Sequence, residues 1–158
     1  MSLPATGLLL LALLPTAPAA APPVPFPAGF RDWHHVKTVV VQSGHPLYAA
    51  VGGINHVYAN AAALQGYRDG RFPEGSVLVF DTIEAHVAAH AISEGDRKVL
   101  GVMVKDSRRY PETGGWGFEN FDGGRAASPM IGDKAAAMCF ACHDRPGTRD
   151  HVFSRLRE

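Results

Sequence analysis

Arg97-Lys98-Val99-Leu100-Gly101-Val102-Met103-Val104-Lys105 is the stretch that decides the fold. Alternation puts Val99, Gly101 and Met103 on one face and Leu100, Val102 and Val104 on the other. Both faces are largely apolar, which predicts a strand covered on both sides and central in its sheet. Upstream, Ser76-Val77-Leu78-Val79-Phe80 follows a Pro73-Glu74-Gly75 turn signal and reads as the hairpin partner. Glu94-Gly95-Asp96 is the expected turn between them. Residues 36–42, with Val39, Val40 and Val41, and residues 55–59 and 116–121 read as further strands.

Helices are expected to be few. Asn60 can cap a helix over residues 61–67, which Asp69-Gly70 ends. Residues 29–35 can hold a helical turn. Asp133 is the expected N-cap of a helix from Lys134 to about His143, and residues 151–157 read as a closing helix. Pro22 to Pro27 is Pro-rich and reads as an extended entry into the fold.

Cys139-Phe140-Ala141-Cys142-His143 carries the chemistry. C-x-x-C-H is the attachment pattern of a c-type haem: two thiols add across the vinyl groups and the adjacent imidazole faces the iron. The chain has two Cys, both in this motif, so neither is left for a separate disulfide. The competing readings are a zinc half-site and a redox C-x-x-C. Zinc wants four ligands, and the sequence has no second Cys/His cluster at finger spacing. A thioredoxin-like pair opens a helix after a strand in a βαβ unit, and too little chain follows Cys142 to build one.

Residues 7–14 are a short apolar run, followed by Pro15-Thr16-Ala17-Pro18-Ala19-Ala20-Ala21. That pattern predicts a signal peptide over residues 1–20, although no Lys or Arg precedes the run. The run is too short to span a bilayer. Its removal leaves residues 21–158, one domain of about 140 residues, with a periplasmic location. Formal net charge is zero with His neutral, so nothing points to nucleic acid or an anionic membrane as partner.

The haem motif lies near the C-terminus, and no Met follows His143. Met103, on an apolar strand, reads as core. Met130 and His34, His35, His45, His56, His86 and His90 remain as candidates for a sixth ligand or a distal acid or base, each more often a surface group. His86 and His90 fall in a polar, loop-like stretch. Arg31, Arg125 and Glu119 are candidates for a propionate or the distal pocket, and Trp116 and Phe118 read as core aromatics. The expected architecture is a sheet against one haem face and the haem helix against the other.

Six stretches, in order along the chain, resemble the cytochrome P-460 family: Phe30-Arg31-Asp32-Trp33, His56-Val57-Tyr58-Ala59-Asn60, Phe72-Pro73-Glu74-Gly75-Ser76-Val77, Val102-Met103-Val104-Lys105-Asp106, Gly114-Gly115-Trp116-Gly117-Phe118-Glu119 and the C-x-x-C-H motif. The resemblance implies an α+β fold: an antiparallel β-sheet core with flanking helices and a C-terminal haem-attachment helix. It also implies a homodimer and one covalently attached haem c with His143 as metal ligand. Family members of the hydroxylamine-oxidising type carry a third covalent link, from a Lys to the macrocycle, on the strand after the Pro-Glu-Gly turn. The cytochrome c′-beta type lacks it and binds gases beside distal Phe residues. Here the strand has no Lys, and Phe80 stands at or next to that position. Lys105 matches a lysine common in the family and reads as structural.

The expectation is therefore a periplasmic mono-haem cytochrome with five-coordinate iron that binds a diatomic gas or small nitrogen compound, nitric oxide above all. Cys139, Cys142, His143 and Phe80 form its cofactor site. An apolar distal side offers no donor for a polar ligand and no acid or base to cleave a peroxide bond. The alternatives are an oxidoreductase acting on hydroxylamine or nitric oxide, and an electron-transfer cytochrome serving a redox partner protein.

Overall fold

A computed structural model describes residues 23–157. The expected leader at residues 1–20 lies outside the described residues. Five strands form one antiparallel sheet in the order β1-β2-β3-β4-β5. They are β1 His34–Val41, β2 Gly53–Ala59, β3 Val77–Ala88, β4 Ala91–Lys105 and β5 Trp116–Asp122. Each strand pairs with its neighbour in sequence, so the sheet is a meander. With its helices it makes the α+β fold expected from the sequence.

Alternation along β4 divides the core as read above. Leu100, Val102 and Val104 join Val24, Phe30, Val79, Tyr110 and Phe121 on one face. Met103, with Gly101, belongs to the other, where Val36, Val57, Ala59, Leu78, Trp116 and Phe118 are buried. Leu100 and Trp116 are fully buried, and burial of each contributes about 1.5–3 kcal/mol. The Pro-rich entry segment covers the first face: Val24 is buried, and the Phe26 ring meets Phe121 edge-on at 5.1 Å.

The two short helices lie between β1 and β3. Helix α1 is Tyr48–Val51 and α2 is Ala61–Asp69. Asn60 caps α2 as expected, its Oδ1 accepting from Ala63 N–H at 2.9 Å. Gly70 closes it with φ 76°, a left-handed conformation that glycine adopts without a steric penalty. Among the described residues, no helix is long and apolar enough to cross a membrane.

Four local expectations are corrected. The β3–β4 turn lies at Ala89 and His90, both left-handed (φ 49° and 60°), and not at Glu94-Gly95-Asp96, which runs inside β4. Gly95 makes room for His86, whose Nε2 would lie 2.1 Å from a Cβ added there. His86 is accordingly an exposed strand residue, not a loop residue. Residues 151–157 form no helix: Arg149 and Val152 bridge across a tight turn, and an extended tail follows. The helix expected from Lys134 to His143 is present as one run of helical turns: a 3-10 turn, Gly132–Lys134, a π-helix, Ala136–Phe140, and a short α-helix α3, Ala141–His143. Asp133 lies inside the 3-10 turn and caps nothing.

Candidate functional site

The C-x-x-C-H residues emerge from the π-helix. Its wide turn brings Ala141 N–H onto the carbonyl of Ala136, a local widening that occurs mostly at functional sites. Cys139 and Cys142, three residues apart, are neighbours on the helical surface. Both are free thiols and partly buried. Burial pushes the Cys139 thiol up, with the Glu119 carboxylate and Cys142 adding to it. The Arg145 Nη2 lies 2.8 Å from Cys142 Sγ.

His143 follows directly. Its ring packs between Phe118 (centroids 5.1 Å) and Phe153 (4.7 Å). Nδ1 lies 2.8 Å from the His151 carbonyl oxygen. A carbonyl only accepts, so Nδ1 carries the proton and the neutral ring keeps its lone pair on Nε2. Burial holds the imidazole below its ordinary pKa; the bond to His151 opposes that shift, and the His151 and Arg145 charges add to it.

The segment is held from both sides. Upstream, Glu119 is buried and clamps the incoming loop: Oε1 accepts from the N–H groups of Asn120 (2.9 Å), Met130 (3.0 Å) and Ile131 (2.7 Å), and Oε2 from Gly132 (3.1 Å). Glu119 is therefore committed to the backbone and not available to a pocket. Downstream, the turn through Asp150 and His151 supplies the carbonyl that His143 uses.

The sheet face opposite this segment is mostly apolar. Phe80, Met103, Cys139 and Phe140 all pack against the Trp116 and Phe118 core cluster. The register aligns Lys37, Val57, Phe80, Gly101 and Asn120 in one row across the sheet, and Ala59, Leu78, Met103 and Phe118 in the next. Phe80 thus shares its face with the residues around the motif. Gly101 lies close beside it without a side chain: a Cβ there would lie 3.5 Å from Phe80 Cβ and 3.2 Å from Asn120 Oδ1.

Sequence reading missed two members of that row. Asn120 brings an amide beside Gly101, so the wall is not wholly apolar. Lys37 stands in the Phe80 row two strands away, roughly 10 Å at ordinary strand spacing. Period-two alternation could have found both, had the pairing register been known.

The remaining candidates lie elsewhere. Arg31 and Arg97 pair with the buried Asp81. Arg125 pairs with Asp122. His35, Thr38, His56 and Glu94 form a hydrogen-bonded chain on the other face. His34, His45, His86 and His90 are exposed, and Met130 is 55% exposed. Met103, Trp116 and Phe118 are core side chains, as expected. Among the described residues, no group of three or more His, Cys, Asp or Glu is arranged to hold a metal ion. Two concavities, of about 610 and 440 Å³, lie at the β3–β4 hairpin and along the C-terminal tail, and no motif residue lines either.

A family model described as Cytochrome P460 matches residues 27–154. No curated protein matches the chain. The match spans most of the sequence, so the chain belongs to the cytochrome P460 family and is a haem cytochrome. The residues present fit that cofactor. Two free thiols and an imidazole share one short segment, His143 keeps Nε2 for a metal, and the facing wall of Phe80, Gly101 and Met103 suits an apolar macrocycle.

Proposed function

We propose that this member of the cytochrome P460 family is a periplasmic, gas-binding protein of the cytochrome c′-beta type. In this reading it carries one haem c, joined through Cys139 and Cys142, with His143 Nε2 as the axial ligand. When bound, the haem supplies an iron that takes small ligands and exchanges electrons. Phe118 and Phe153 hold the His143 ring, and the His151 carbonyl fixes its tautomer. Phe80, on the sheet face that the motif packs against, would keep the haem's surroundings apolar, which would favour small neutral ligands such as nitric oxide over polar ones. The Asn120 amide, beside Gly101, is the one neutral donor in that row and would be the group to orient a bound ligand.

The observation that carries the reading is Phe80 itself. Strand β3 offers a phenyl ring, and no lysine, on the face that the motif packs against. A phenyl ring cannot form an amine link to the macrocycle. The second reading, a hydroxylamine-oxidising enzyme, has Lys37 in its favour, because that side chain shares the Phe80 row. Its distance across the sheet argues against it occupying the same position. Periplasmic location rests on the leader read at residues 1–20, a homodimer on the family resemblance, and a redox partner protein on the electron-transfer alternative.

The ferrous absorption spectrum tests the reading. An ordinary high-spin c-type spectrum that changes on adding nitric oxide is expected. A strongly red-shifted band, together with hydroxylamine-dependent reduction of an electron acceptor, would overturn it.

A further inference from the structure

Asp150 and His151 both hold left-handed backbone conformations, φ 48° and 65°. Residues with a Cβ adopt this region rarely and keep it only where the surroundings over-determine it. Asp150 is held by three groups. Its Oδ1 accepts from Lys105 Nζ (2.8 Å), its Oδ2 from Phe72 N–H (2.9 Å), and its main-chain oxygen from Trp116 Nε1–H (2.9 Å). Lys105 ends β4 and is 8% exposed. Its ammonium also donates to the Gly114 carbonyl at 3.0 Å and lies 5.1 Å from the Trp116 ring centroid. The very next carbonyl along the chain, that of His151, is the acceptor for His143 Nδ1–H.

We propose that the partly buried Lys105–Asp150 pair is a positioning device for the axial histidine. It pins the 150–151 turn to the end of β4, so that the His151 carbonyl faces His143 Nδ1. This inference rests on the reading of His143 as the iron ligand. Taking an ammonium and a carboxylate out of water costs as much as their attraction returns unless every bond is made. Here both carboxylate oxygens and two ammonium hydrogens are used, which suits a pair kept for placement rather than for stability. A hydrogen bond from the far ring nitrogen fixes the tautomer of a ligating histidine and raises its basicity. A firmly held carbonyl therefore makes His143 a stronger donor and lowers the reduction potential of the iron. Lys105 acts two steps away from the metal, through Asp150 and the turn.

The test compares haem-loaded full-length protein with its Lys105→Met and Asp150→Asn variants. The readouts are the ferrous iron–imidazole stretching band in resonance Raman spectra and the reduction potential. Both variants should move the band to lower frequency and the potential upward, whereas Lys105→Arg, which keeps the charge, should move them less. Tyr67→Phe breaks a different anchor of the tail, the 2.6 Å bond from Tyr67 Oη to Ser154 Oγ, and should move neither. Should Lys105→Met fail to fold, Asp150→Asn carries the test, since it keeps an oxygen for Phe72 N–H and loses the charge and the acceptor for Lys105 Nζ. A folded, haem-bearing variant of either kind with the wild-type band and potential overturns the positioning role alone. Absence of any iron–imidazole band in the unaltered protein would instead remove His143 as axial ligand, and this proposal with it.

Discussion

The Nδ1–H of His143 donates to the main-chain oxygen of His151, 2.8 Å away. That bond joins the C-x-x-C-H segment to the turn at Asp150 and His151 and directs Nε2 away from the backbone. Replacing His143 by Gly should leave the haem attached through the two Cys while emptying the space between Phe118 and Phe153. Added imidazole should then enter that space and restore the ferrous spectrum. An unaltered spectrum in His143→Gly without imidazole would identify another residue as the ligand.

Alkaline stability should depend on Tyr67. Burial pushes its phenol up to about 12 from 10.0, and the bond to Ser154 offsets only part of the shift. The neutral form is thus favoured in the folded state. Its contribution is fully present below pH 10, the unfolded value, and is lost as pH rises through the folded value. Two units correspond to about 2.7 kcal/mol. Denaturant titrations between pH 9 and 12 should show a steeper fall for the wild type than for Tyr67→Phe. Parallel curves would exclude Tyr67 as a source of that slope.

Phe80→Ala should open the sheet wall beside Gly101. Stopped-flow association of carbon monoxide should accelerate, and larger ligands such as alkyl isocyanides should gain more than carbon monoxide. Phe80 is only partly buried, so the stability loss should be about 1–2 kcal/mol, below the 3–5 typical of a fully buried Phe. Equal association rates in the two proteins would remove Phe80 from the ligand path.

How much of this was legible in the sequence differs residue by residue. The apolar alternation of β4 identified a two-sided central strand because burial on both faces leaves that pattern. Asn60 announced its helix because a cap acts through neighbours close in sequence. The β3–β4 turn was misread because Ala89 and His90 carry no turn signal, whereas Gly95 resembles a turn residue and serves to admit the His86 ring. The turn at Asp150 and His151 was hidden for a related reason. Two residues with side chains hold a glycine-like conformation only because Lys105, Phe72 and Trp116, far away in sequence, support it. Lys105 was legible as structural, but not its line to His143. The Phe80 row, with Asn120 and Lys37, needed the strand register, which short apolar strands do not encode by themselves.

On the proposed reading, Phe80 leaves this cytochrome without a lysine-linked macrocycle and so without hydroxylamine-oxidising chemistry. Mass spectrometry of haem-bearing peptides after proteolysis tests it most directly. One haem should appear on a single peptide containing Cys139, Cys142 and His143, with a mass equal to peptide plus haem joined by two thioethers. A haem bridging that peptide to a second one containing a lysine, Lys37 above all, would contradict the account.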